Sequence, residues 1–214
     1  MNLWDAAISD NPLIAIMRGL EPDKAIPVAE VLVEAGFRFI EVPLNSPEPL
    51  KSINVIAQKY SDSVVVGAGT VLSADDVTNV VEAGGQLIVA PNMNSRVGNQ
   101  ACELGALWCP GVATPTEAFT ALELGAAMLK LFPAELIPPK GVKAMRAVLP
   151  AQARIAMVGG ITPESMHDYL DAGANSFGLG SALFKPEYNI EELKQRAVSF
   201  ILSLIHISEP TRPY

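Results

Sequence analysis

The chain has 214 residues, half of them hydrophobic and 18% charged, with a formal net charge of −8 at pH 7. That length and composition suit one globular domain with a substantial core, and the acidic balance without any basic block argues against nucleic acid as a partner. No apolar stretch reaches the roughly 18 residues of a membrane span, and the N-terminus lacks a signal-peptide pattern. Cys102 and Cys109 lack metal-ligand spacing, so a cytoplasmic protein with reduced thiols and no membrane partner is expected.

In chain order, a short helix precedes a first strand at 13–18, where alternation puts Ile14, Ile16 and Arg18 on one face. A helix near 22–35 leads to a second strand at 37–43, with Phe39 and Glu41 on one face and Ile40 and Val42 on the other. Next come a helix near 48–60, a strand at 64–69 ending Gly67-Ala68-Gly69-Thr70, a helix near 73–83 and a strand at 86–90 that runs into Pro91-Asn92. A helix near 95–104, a strand at 107–109 and a helix near 115–124 precede the sixth strand, 128–132. There Met128, Lys130 and Phe132 face one way, Leu129 and Leu131 the other. A helix near 140–149, a strand at 155–158 running into Gly159-Gly160, a helix near 163–172, a strand at 176–179 running into Gly180-Ser181 and a helix near 189–202 complete the pattern. Glycines 36, 84, 105, 125 and 173 stand where left-handed helix caps are needed. Residues 203–214, with Pro210 and Pro213, break the pattern and read as an irregular extension foreign to a single domain of residues 1–202.

Eight strand–helix units imply parallel pairing through right-handed crossovers, hence an α/β fold of the compact (β/α)8 TIM-barrel type with a short N-terminal helix. An open doubly wound sheet is the alternative, although no GxGxxG follows the first strand. Lys130 lies inside an apolar run, where an ammonium must lower its pKa or find a counter-charge. A neutral lysine is a nucleophile toward a ketone. By position alone, a snorkelling side chain or a structural ion pair explains it as well. In an eight-stranded barrel the second and sixth strands stand on opposite walls and feed the same interior layer, so Glu41 faces Lys130. That pairing favours chemistry over a core ion pair, since buried pairs stabilise poorly. Arg18 fits either a fork onto a carboxylate or a solvated rim position. The glycine turns after the seventh and eighth strands match the phosphate site of such barrels, built from backbone N–H groups and a helix N-terminus. With only His167 and His206, a Ser-His-Asp triad, a His-bearing zinc site or a His general base has almost no material.

The segments IMRG at 16–19, IEVPLNSP at 40–47, GAGTVL at 67–72, APN at 90–92, CPGVATPTEAF at 109–119, LKLFPA at 129–134 and VGGITPE at 158–164 follow one another in order. Over residues 10–200 the chain thereby resembles the class I aldolases that cleave 2-keto-3-deoxy-6-phospho sugar acids. The resemblance implies Lys130 as the Schiff-base lysine and Glu41 as the acid/base. It implies Thr70, Pro91 and Phe132 along the pyruvate half of the substrate, and Gly159, Gly160, Gly180 and Ser181 around the phosphate. It further implies a homotrimer and chemistry that needs no metal or other cofactor. The family's gluconate-type members carry Leu-Arg-Thr after the glutamate strand and Thr-Gly-Gly in the phosphate loop. This chain has Leu44-Asn45-Ser46 and Val158-Gly159-Gly160, which look like the galactonate type, with Arg18 taking over the carboxylate clamp and Asn45 and Val158 bearing on the choice of epimer. The expected reaction is reversible cleavage of 2-dehydro-3-deoxy-6-phosphogalactonate to pyruvate and glyceraldehyde 3-phosphate. The gluconate epimer, or both epimers, is the alternative substrate. An epimerase or synthase on the same barrel and a non-catalytic phosphosugar-binding barrel are the competing readings.

Overall fold

Among the described residues nine short strands, all paired in parallel, form one sheet: β1 (Leu13–Ile16), β2 (Phe39–Pro43), β3 (Val65–Gly69), β4 (Leu87–Val89), β5 (Leu107–Cys109), β6 (Gly111–Val112), β7 (Leu129–Leu131), β8 (Ile155–Val158) and β9 (Ser176–Leu179). Their order is β5-β4-β3-β2-β1-β9-β8-β7-β6. The computed structural model describes residues 3–208, and no helix among the described residues is long and apolar enough to cross a membrane.

β5 and β6 are one stave of the barrel interrupted at Pro110, which has no N–H to give to a ladder. β5 pairs with β4 and β6 with β7. Bonds from Ala127 N–H to Trp108 O and from Lys130 N–H to Pro110 O, both 2.9 Å, complete the ring. Eight staves therefore close the sheet as a (β/α)8 barrel, and the sixth predicted strand is β7. Closure leaves no open sheet edge and excludes the doubly wound alternative.

Between the strands run α2 (Ala25–Ala35), α3 (Pro49–Tyr60), α4 (Ala74–Glu82), α5 (Ser95–Glu103), α6 (Pro115–Glu123), α7 (Pro139–Arg146) and α8 (Met166–Asp171), with α9 (Ile190–Ser208) at the end. α2 buries Val28, Ala29, Val31 and Leu32 on one stripe and stops at Gly36, whose φ of 109° is one that residues with a Cβ avoid. The other four predicted glycine caps are likewise left-handed. α4 and α6 start with reciprocal capping boxes, Ser73 with Asp76 and Thr114 with Glu117.

Strand alternation sorts the core into two layers. Leu13, Ala15, Ile40, Val42, Leu129 and Leu131 pack outward against the helices, while Ile14, Ile16, Phe39, Val65, Leu87, Val89, Cys109, Met128, Ala156 and Val158 fill the barrel. The N-terminal helix, α1 (Leu3–Asp10), inserts Trp4 and Ala7 into this inner cluster. The Trp4 ring meets Phe39 edge-on at 5.2 Å, and Arg154 lies 5.6 Å over the Trp4 ring.

At the C-terminus the structure departs from expectation. α9 runs through Ser208, past the predicted boundary at 202. Ser203 Oγ donates 2.7 Å to Pro163 O, and Leu204 packs on the core. The prolines that suggested an irregular tail stop a helix only at their own approach. Pro210 and Pro213 themselves, with the rest of 209–214, lie outside the described residues.

Candidate active site

β2 and β7 bring Glu41 and Lys130 to the inner face of the barrel. Phe39 precedes Glu41 and Met128 precedes Lys130 on that face, so apolar side chains floor the pair. Glu41 is 3% and Lys130 7% exposed, two of the few charged or polar side chains in the core. Burial raises the Glu41 pKa above its ordinary value, against the pull of Lys130 and Arg18. Burial likewise lowers the Lys130 pKa, opposed by the Glu41 charge and reinforced by Arg18. Each group is thus pushed toward its neutral form. Among the described residues no ion pair within 4.0 Å joins the two, so they share a field across a space. The Lys130 Nζ sits 4.8 Å from the centre of the Phe132 ring.

Cys109 completes this layer from β5. Its thiol is pushed up to about 12 by burial and by the Glu41 charge, which keeps it protonated and inert. It was read from sequence only as a reduced thiol, and nothing in its spacing marks it as a neighbour of the pair.

A cavity of about 590 Å3 opens beside Phe132, whose ring neighbours Lys130, and is lined by Ile16, Arg18, Phe132, Val158 and the turns Gly159-Gly160 and Gly180-Ser181. Arg18 stands just past the end of β1, which stops at Ile16, and is exposed at the cavity wall. Its Nη1 donates 2.6 Å to Asn45 Oδ1, which holds the guanidinium at the cavity wall. Beside it, Gly19 N–H donates 2.9 Å to Ser46 Oγ and ties the first loop to the second. Thr70, directly after β3, has a φ of 57°, a left-handed conformation unusual for a β-branched residue. Pro91 follows β4 and is half-buried, its carbonyl packed against the Cα of Gly111, the residue paired with Lys130. Glu41, Lys130, Thr70, Pro91 and Asn45 are not among the residues lining the cavity itself; Ile16 and Phe132 stand between it and the buried pair.

The glycine turns differ from expectation in one respect. α8 begins only at Met166, and the turn after β9 is closed by Leu183 and Phe184 N–H groups bonding Gly180 O at 2.9 and 3.0 Å. The rim beside both glycine turns is therefore loop and turn, with no helix N-terminus abutting Gly160. Glu135 and Lys185 also line the cavity, and neither was singled out from sequence. A Cβ on Gly159 would come within 2.4 Å of Glu135 Oε2, so the carboxylate lies directly on that turn. Glu135 stands next to the LKLFPA segment, which was the one signal available.

A protein-family profile described as "Aldolase: KDPG and KHG aldolase" matches residues 5–198. The 2-dehydro-3-deoxy-6-phosphogalactonate aldolase of Escherichia coli K12 is 45% identical over 190 residues, 89% of this chain and 93% of that protein. The KHG/KDPG aldolase of the same organism is 32% identical over 78% of each chain. A solved structure described as native KDPGal superposes with a TM-score of 0.90 at 44% identity, covering 92% of this chain and 95% of the other. The chain belongs to the KDPG and KHG aldolase family.

Proposed function

We propose that the protein is a class I aldolase that reversibly cleaves 2-dehydro-3-deoxy-6-phosphogalactonate to pyruvate and glyceraldehyde 3-phosphate. The observation that supports this reading is the buried Glu41–Lys130 pair, with the lysine pKa lowered and a space rather than an ion pair between the two. The neutral Lys130 amine adds to the C2 ketone and water leaves, giving an iminium ion. Glu41 takes the C4 hydroxyl proton, directly or through a water, as the C3–C4 bond breaks. The bonding electrons move into the iminium to form an enamine, so the electron sink is organic. Glyceraldehyde 3-phosphate leaves, Glu41 returns the proton to C3, and hydrolysis frees pyruvate and the lysine.

Around that centre, Arg18 held by Asn45 grips the substrate carboxylate. Thr70, Pro91 and Phe132 line the pyruvate half, and Gly159, Gly160, Gly180 and Ser181 hold the phosphate through backbone N–H groups and the serine hydroxyl. Asn45 and Val158 set the preference between C4 epimers. The 45% identity to the galactonate enzyme of Escherichia coli, against 32% to its KHG/KDPG counterpart, favours the galactonate epimer. We further infer a homotrimer. A structural relative at TM-score 0.90 is a protein cage designed by fusing symmetric oligomeric domains, and light scattering at three chain masses is the check.

Borohydride added with pyruvate attaches a three-carbon adduct at Lys130. Cleavage of the substrate without that adduct refutes the assignment. Side-by-side kcat/KM on the galactonate and gluconate substrates decides the epimer.

A further inference from the structure

We propose that Gly69 is a positioning residue of this site: the space left by its missing side chain is the seat of the Glu41 carboxylate, and that seat sets where the acid stands. β2 and β3 run in register, with Glu41 opposite Gly67 and Pro43 opposite Gly69. The Glu41 side chain thus reaches one pleat toward the C-terminal end of the barrel and lies across the Gly69 Cα. A Cβ built on Gly69 would stand 1.6 Å from Glu41 Oε1, 2.5 Å from Cδ and 2.9 Å from Cγ, all inside the 3.0 Å that real Cβ contacts essentially never breach.

Two observations separate this from an ordinary strand glycine. Gly69 does not have a positive φ, unlike the glycines at helix ends, so its backbone is one that alanine adopts freely. The requirement is for space, not conformation. In addition, burial and the charges of Lys130 and Arg18 are what act on the Glu41 carboxyl, with no hydrogen bond holding it among the described residues. Among the protein's own described groups, shape rather than a hydrogen-bond donor locates it. Alanine at position 69 would force the carboxylate to retreat by at least 1.4 Å along that contact (3.0 less 1.6). A misplacement of about 1 Å in a reacting group costs roughly 100-fold in rate.

The proposal rests on Glu41 being the proton carrier, and the test separates the two. In deuterated water, the enzyme exchanges the methyl protons of bound pyruvate only if an acid/base works on the enamine, whereas borohydride trapping reports the lysine. Gly69→Ala is expected to trap pyruvate on Lys130 to completion while exchange falls about 100-fold. Glu41→Asp added to Gly69→Ala should lose no more exchange than the worse single variant. The shorter acid gives up the two worst overlaps and needs only a shift of about 0.1 Å at its carboxyl carbon, where Cγ stands 2.9 Å from the new Cβ. Exchange within threefold of wild type in Gly69→Ala, or losses that multiply in the double variant, overturns the proposal. If Gly69→Ala does not fold, Glu41→Gly/Gly69→Ala should fold and melt as Glu41→Gly does, and its failure to do so likewise overturns it. Full exchange in Glu41→Gln would instead refute Glu41 as proton carrier, leaving the melting comparison to judge the seat.

Discussion

Replacing the buried pair by apolar side chains of similar volume, Glu41→Leu with Lys130→Met, is expected to abolish cleavage and to stabilise the barrel. Both groups sit in an inner layer otherwise made of Ile16, Val89, Cys109 and Val158, and no ion pair returns their hydration. Comparable replacements of buried ionic groups gain about 1–4 kcal/mol. For a chain of this size each kcal/mol raises Tm by roughly 2–4 °C, so a rise of at least about 2 °C follows. The gain carries a pH signature. Lys130 has its folded pKa below the ordinary 10.5, so the unfolded chain binds more protons between those two values, and the lysine's penalty is full below the folded pKa and fades as pH rises to 10.5. Glu41 has its folded pKa above the ordinary 4.5, so its penalty is absent below 4.5 and builds as pH rises to the folded value. The advantage of the double variant should therefore be greatest between the two windows and shrink at both extremes. Urea melts of the two proteins from pH 4 to 10 measure it. A double variant that is less stable at neutral pH would mean that the pair supports the fold, and the argument for a site maintained at the expense of stability would fail.

Thr70→Asn should relieve the left-handed backbone at position 70 and stabilise the protein by about 1 kcal/mol, while lowering kcat/KM; a fall in Tm refutes the strain. Glu135→Gln removes a carboxylate lying on the Gly159 turn and, at this exposed site, should strengthen inhibition by inorganic phosphate by up to about fivefold; weaker inhibition would show that Glu135 supports anion binding. Val158→Thr places a hydroxyl at the cavity wall and should shift the ratio of kcat/KM toward the gluconate epimer by about tenfold, the worth of one hydrogen bond; an unchanged ratio removes Val158 from the epimer choice.

What was legible in the sequence followed from period-two alternation and strand count. Phe39 with Glu41, and Met128 with Lys130, face the barrel as alternation requires, because a closed sheet buried on both sides leaves no freedom to slip register. The break at Pro110 was not legible. Residues 107–109 read as a short strand with no element assigned before the helix near 115, and only the ladders to both neighbours show one stave crossing the seam. For Arg18 a carboxylate fork and a solvated rim position both stay open in the sequence; it stands two residues past the end of β1 at the cavity wall, and its anchor, Asn45, lies 27 residues away in another loop. Glu135 reaches the cavity from a single 3-10 turn at Ala134–Leu136 and Lys185 from a loop, and neither is long enough to carry a periodicity that could aim them.

The ambiguity of Lys130 in the sequence has a physical origin. A lysine in a three-residue strand has only Met128 and Phe132 as local neighbours on its face, and the rest of its desolvation comes from what other elements place around it. The floor beneath it is built by Phe39 from β2 and by Trp4 from α1, whose rings meet at 5.2 Å. The far wall is Glu41, seated on β3. The roof is Phe132, one turn of the pleat beyond. The lowered pKa of the amine thus owes as much to ring closure and to the N-terminal plug as to the neighbours that flank it along β7. An apolar run containing one lysine reads as salt bridge or nucleophile with equal ease until the barrel around it is counted to eight staves. Once it is, the second and sixth strands must oppose each other, and the carboxylate has a seat beside the amine but no bond to it. Two buried opposite charges that are near yet unpaired serve the fold poorly, whereas a substrate carbon entering between them would find the nucleophile on one side and the proton carrier on the other.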